Sequence, residues 1–301
     1  MGAALVPVRL LRLIAATAAL VPLACGAHHT GVAQASTWNF EPWLLALLAA
    51  SAVLYMRGAM RLWQRAGRGR GITRGQASRF AAGWLALVAA LVSPLDAAGA
   101  RSFALHMVQH EVLMVIAAPL LVTARPLEAW TWALPPHWRR RVRAFTHSRG
   151  FGRAWAAITE PVGAWSLHAL ALWAWHVPAF FEAALARDGV HVLQHASFLG
   201  SALVFWWSVL GRRTRAAEGV ALASLFTTML HTGVLGALLT LAPAPWYPHY
   251  VATAGAGFTP LEDQQLGGLV MWMPAGLVYA VCALALVSTW LRDATRSPRL
   301  R

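Results

Sequence analysis

The chain has 301 residues, 58% of them hydrophobic and only 12% charged, with a mean hydropathy of +0.53. A soluble globular protein carries about a quarter charged residues, so the composition excludes that class and points to a membrane protein. The formal charge of +14 comes entirely from arginine, in short clusters between long apolar runs rather than on one basic face, which argues against nucleic acid as a partner and for membrane-flanking loops.

The N-terminus carries Arg9 and Arg12, then the apolar run from Leu13 to Ala24, then Ala33-Gln34-Ala35 as a small-x-small cleavage site. Residues 1–35 therefore read as a signal peptide, with an extra N-terminal helix as the alternative. The transmembrane domain follows over 36–291, and 292–301 form a basic cytoplasmic tail. Spans are expected at 40–62, 77–95, 103–124, 161–185, 191–211, 219–242 and 266–291, an all-α polytopic bundle of about seven helices. Pro119 is expected to kink the third span.

Arginine placement gives an orientation. Seven arginines follow the first span (Arg57 to Arg79) and seven the third (Arg125 to Arg153), whereas the alternate connections hold only Arg101 and Arg187. By the positive-inside rule the mature N-terminus lies outside and the C-terminus inside. Residues 135–149 predict a basic helix lying on the inner leaflet, in contact with membrane lipid. The outer loop 243–265, rich in proline and aromatics, reads equally as a lid, a docking loop or a plain connector.

The spans contain histidines, which is unusual because ionisable groups in a bilayer are costly and face the bundle interior. His106 and His110 are spaced i, i+4 at the outer end of the third span, and His191 and His195 repeat the spacing in the fifth. On a helix each pair lies one turn apart on one face, close enough for both imidazoles to hold one metal ion. His176 lies in the outer half of the fourth span and is a further candidate, while His168 and His231 read more readily as polar contacts between helices. Two cysteines, Cys25 and Cys282, leave little room for a disulfide framework, so a metal site here is built mainly from histidine. Imidazole suits copper, zinc and iron; a thioether such as that of Met107 would favour Cu(I). Asp263, Gln264 and Gln265 enter the seventh span and could orient a ligating imidazole. The adjacent Gly267-Gly268 pair reads as a site of close helix packing.

Several segments in order carry a resemblance: Ser93-Pro94-Leu95-Asp96, His106-Met107-Val108-Gln109-His110, Ala118-Pro119-Leu120-Leu121, Trp173-Ala174-Trp175-His176-Val177-Pro178, His191-Val192-Leu193-Gln194-His195, and Asp263-Gln264-Gln265-Leu266-Gly267-Gly268 with Met271-Trp272. Together they resemble the CtaG family, the polytopic assembly factors of caa-type cytochrome c oxidase, over roughly residues 38 to 291. The resemblance implies a bacterial inner-membrane protein without enzymatic activity that helps mature a haem-copper oxidase by delivering copper. Oxidase subunits would be its partners, and a periplasmic copper carrier a further one. The residues themselves leave three rivals: a haem-binding redox protein using one histidine from each of two helices, a copper or proton transporter running past His168 and His231, and a metal-free scaffold.

Overall fold

Proline punctuates this chain, and the helix boundaries follow it. The computed structural model describes residues 38–211, 215–253 and 257–296, and among these residues all regular structure is helical. The predicted leader with Cys25, Arg212, Arg213 and the end of the basic tail lie outside the described residues. The order begins with α1 (Pro42–Ala66), α2 (Arg74–Leu91) and a short α3 (Pro94–Gly99). Helix α4 (Phe103–Glu111) passes through a π-helical segment, Val112–Ala117, into α5 (Ala118–Thr123). Three short helices follow: α6 (Pro126–Ala133), α7 (Pro136–Thr146) and α8 (Arg149–Thr159). The remainder is α9 (Pro161–His176), α10 (Pro178–Ala186), α11 (Asp188–Leu210), α12 (Arg215–Thr240), α13 (Pro248–Ala252) and α14 (Pro260–Arg296). Helices α1, α3, α6, α7, α9, α10 and α13 carry proline in the first two positions, where its missing N–H would have no partner anyway and its φ is already helical.

Among the described residues, five helices are long and apolar enough to cross a membrane: α1, the continuous stretch Phe103–Thr123, α11, Glu218–Thr240 and Pro260–Arg292. A sixth results if α9 and α10 count together, but they meet at a 75° bend. The straight span expected over 161–185 is thereby corrected. Pro178 disfavours helical backbone at Val177, which sits at φ −62° and ψ 126°, and the helix breaks there. The span expected over 77–95 is the 18-residue α2, which stops at Leu91 and is not among the five. Arg74, Gln76 and Arg79 occupy its first two turns and leave roughly 12 apolar residues, about 18 Å of helix for a hydrocarbon core of about 30 Å.

Pro119, at which a kink is expected, follows closely on a π-helical segment. The helix continues through Pro119 to Thr123. Inside that segment the indole N–H of Trp206 donates to the Met114 carbonyl at 2.8 Å, satisfying backbone that lies away from water. Trp206 and Tyr279 stack with centroids 5.7 Å apart, so this buried contact ties α4, α11 and α14 together.

Glycine sets two close approaches. At the crossing of α12 and α14, a Cβ on Gly268 would lie 2.6 Å from the Gly236 carbonyl oxygen and 2.7 Å from the Thr240 amide nitrogen. A Cβ on Gly58 of α1 would fall 1.8 Å from the Ala129 carbonyl oxygen of α6. Small residues that let backbones touch are what drives helix association where lipid is as apolar as leucine. Helix α6, which sequence reasoning hid inside an arginine-rich connection, is held on α1 a second way. Arg61 Nη1 donates to the carbonyls of Ala133 at 2.5 Å, Leu134 at 3.1 Å and Trp132 at 3.3 Å, capping the negative end of the helix. Helices α7 and α8 bury none of their residues within the molecule, and α7 is the basic helix expected over 135–149.

Gly268→Val is expected to lower the thermal midpoint of the detergent-solubilised protein, by about 1–3 kcal/mol of destabilisation or more, because the obstruction is backbone. Gly200→Ala, whose new methyl meets nothing within 4 Å, is the neutral control in the same melt.

Candidate metal centre

Two helices supply the centre. Their histidines lie at i, i+4, so each pair occupies one face, and the packing of α4 beside α11 turns the two faces toward each other. His106 and His110 have ring centroids 4.3 Å apart, and His191 and His195 4.2 Å. Across the helices the His106 ring lies 5.6 Å from His191 and 6.0 Å from His195, and His110 lies 5.2 Å from His195. Each of His106, His191 and His195 offers a ring nitrogen within 4.8 Å of those of the other two. Three nitrogens bound to one ion at 2.0–2.1 Å would stand about 3.4 Å apart, so a modest rotation of the rings closes the set. His110 lies flush against two members of this triad.

Every ring of the cluster has a buried nitrogen without a hydrogen bond. His106 Nε2, both nitrogens of His110, His191 Nε2 and His195 Nε2 are buried without a hydrogen bond. Leaving one such group unsatisfied costs about 1–3 kcal/mol, so a cluster of them is a strained arrangement unless something binds there. His176 is prepared in the same way. Its Nδ1 faces the Leu172 carbonyl oxygen at 2.7 Å and must donate to it, which leaves the lone pair on Nε2, buried and unpartnered. Phe198 neighbours both His176 and His110, with centroids 6.1 and 4.6 Å away, and His176 is not among the three histidines whose nitrogens converge.

Asp263 has a different role from the one expected. Its carboxylate accepts from Ser102 Oγ at 2.7 Å, from the Phe103 amide at 2.6 Å and from the Ala104 amide at 3.3 Å. It caps the N-terminus of α4 from α14, where orphan amides and the positive end of the helix both favour an anion, and so fixes the helix that carries His106 and His110. Gln264 likewise holds backbone rather than an imidazole: its Oε1 accepts from the Trp246 amide at 2.5 Å. The Gln265 carbonyl accepts from Thr240 Oγ1 at 3.3 Å. Gly267 lets α14 reach Phe103 and Met107, since a Cβ there would meet the Phe103 ring at 2.4 Å and Met107 Cγ at 3.2 Å. Met107 is fully buried in an apolar cluster with Phe103, Phe181 and Met271, and the centre is built from imidazole.

His168 and His231 lie apart from the triad. His168 Nδ1 pairs with Ser201 Oγ at 3.1 Å and its ring stacks on Phe205 at 5.2 Å. His231 Nδ1 accepts from the Trp173 indole at 3.4 Å, and the ring packs edge-on against Trp165 at 5.6 Å. Both bond across helix interfaces, as expected, and each keeps a buried Nε2 without a partner.

Residues 243–253 form an ordered cover. Tyr247 and Tyr250 are buried, and their hydroxyls donate to the carbonyls of His176 and Gly99 at 3.0 Å each. Burial, reinforced by neighbouring carboxylates, pushes both phenols well above their ordinary range, so they remain donors. Phe103, Phe181 and Tyr247 pack ring to ring beneath the loop, with centroids 4.2 to 5.6 Å apart. The sequence places these tyrosines in a loop read as a lid, a docking loop or a connector without naming their partners, and it does not assign Gly99 or Gln194, which lie against the His106 ring, to the site. Asp96 was missed as a support. It accepts from Gln109 Nε2 at 2.7 Å and from Asn39 Nδ2 at 3.1 Å, linking α3 to α4 and to the start of α1.

Fold and centre together define a polytopic helical membrane protein with a buried polyhistidine centre near one end of its bundle. The chain belongs to the cytochrome c oxidase caa3 assembly factor family, CtaG, whose pattern it matches over residues 53–293. It is also similar to an uncharacterized protein of Mycobacterium bovis and one of Mycobacterium tuberculosis, each 25% identical over 284 residues, covering 87% of this chain. The chain spans 40% of the length of each of these relatives. No solved structure matches it.

Removing the Asp263 carboxylate should separate its role from ligation. Asp263→Ala is expected to cost about 1–2 kcal/mol in thermal stability, as loss of a helix cap does, and Asp263→Asn less. A variant that melts like the wild type would mean that α4 is held by other contacts.

Proposed function

We propose that this protein serves the assembly of a haem-copper cytochrome c oxidase by holding a copper ion between α4 and α11 and handing it to an oxidase subunit. One observation carries the reading: three imidazoles from two helices each bring a ring nitrogen within 4.8 Å of the others, and each of these rings has a buried nitrogen without a hydrogen bond. His106, His191 and His195 are the ligands, and His110 is the adjacent nitrogen onto which the ion can shift as one of them lets go. Neutral imidazoles suit copper, and without thiolate the hold is weak enough for exchange onto a partner's ligands. The arginine distribution supports an outward-facing centre in the bacterial inner membrane, where a periplasmic carrier could supply the ion. The loop over the centre would then have to lift for loading and for handover. The role is binding and transfer rather than catalysis.

The test is genetic and chemical together. Deleting the gene should leave an oxidase that contains haem but lacks copper, with its activity restored by the wild type and not by His106→Ala or His191→Ala. Mass spectrometry of the purified protein should find copper bound in the wild type and reduced at least ten-fold in both variants. Iron with a Soret band would favour the haem reading. Full rescue by the variants would make the histidines structural and the protein a scaffold.

A further inference from the structure

The end of the bundle away from the histidines holds two adjoining cavities of opposite character. Thr123 lies roughly 17 residues beyond His106, about 25 Å along the helix. A chamber of about 390 Å³ lies at this level, walled almost wholly by apolar side chains, among them Trp84, Trp130, Leu203 and Trp207. The indole N–H groups of Trp84 and Trp130 turn away to the carbonyls of Leu48 and Ser51, at 3.0 Å each, so both indole donors are satisfied by α1 backbone. At Val122 and Trp207 the chamber meets a larger cavity of about 820 Å³, whose wall includes Arg79, Arg125, Glu128, Thr123, Thr159 and Ser208. Glu128 pairs with Arg125, which leaves the two guanidinium groups with one positive charge in excess at this mouth. Arg125 is the one non-glycine residue at positive φ among the described residues, at 57°, a strained conformation held immediately before Pro126.

We propose that the two cavities form one site for an anionic phospholipid, its phosphate at Arg79 and Arg125 and an acyl chain in the tryptophan-lined chamber. Water has too few polar partners in such a chamber to fill it stably. A free phosphate would occupy only the mouth, and an uncharged or zwitterionic lipid would leave the surplus guanidinium charge unmatched. Arginine binds phosphate through paired N–H donors, and anionic lipids are abundant in the leaflet toward which arginine-rich loops face. Because the site lies at the far end of the bundle, it stands or falls independently of the copper reading.

Native mass spectrometry of the intact protein in mild detergent tests this, with phosphatidylglycerol and phosphatidylcholine of identical acyl chains as probes. The expected result is phosphatidylglycerol adducts at a concentration at least ten-fold lower than phosphatidylcholine adducts, with millimolar inorganic phosphate unable to displace them. Arg79→Gln, at an exposed position, should abolish the preference. Gly200 lines the chamber and has nothing within 4 Å of a would-be Cβ, so Gly200→Leu should fill the space without strain and reduce adducts of both lipids. The thermal midpoints of both variants should match the wild type, showing that they fold. Equal binding of the two lipids, displacement by phosphate, or wild-type adducts in either variant would overturn the proposal.

Discussion

Imidazoles that face one another in a dry interior constrain everything built around them. Each ring of the cluster between α4 and α11 has a buried nitrogen for which no protein group supplies a hydrogen bond. Such an arrangement survives only if the surrounding structure leaves the rings nowhere else to go. Asp263 anchors the first turn of α4, Asp96 and Gln109 fix α4 against α3, and Gly99 lies against His106 with no side chain to displace it. Tyr247 and Tyr250 close this end of the bundle by bonding to backbone that flanks the centre.

The same physics organises the bundle as a whole. Backbone at membrane depth must find its partners within the protein, so the π-helical stretch before Pro119 is stitched to Trp206, and the break at Pro178 falls beside the aromatic cluster under the loop. Where helices touch most closely, glycine removes the side chain that would hold them apart. A rigid frame of this kind suits a centre whose ligands are pre-placed rather than recruited by the ion.

Much of this was legible in the sequence because helices are periodic. The i, i+4 histidine pairs, the apolar runs, the basic helix α7 and the packing role of Gly267-Gly268 follow from spacing and composition alone, and the family resemblance rests on the same motifs. Contacts made across long loops were not legible, because nothing periodic announces them. Tyr247 reaches the His176 carbonyl from 71 positions away, and Tyr250 reaches Gly99 from 151. Asp263 was misjudged for a related reason. A carboxylate entering a span can serve an imidazole or a helix terminus equally well, and only the proximity of Ser102 and Phe103 decides which. The short α2 and the bent α9–α10 pair show the limit of counting spans from hydropathy, since polar first turns and an X-Pro step shorten or fold helices whose overall composition remains apolar.

The central claim is that the centre binds copper through imidazole nitrogen alone. X-ray absorption at the copper edge, on purified protein loaded with Cu(I), tests it most directly. The account predicts three or four nitrogen scatterers at about 2.0 Å, the multiple scattering of imidazole, and loss of the signal in His191→Ala. A sulfur scatterer near about 2.3 Å, or no copper retained after desalting, would contradict it.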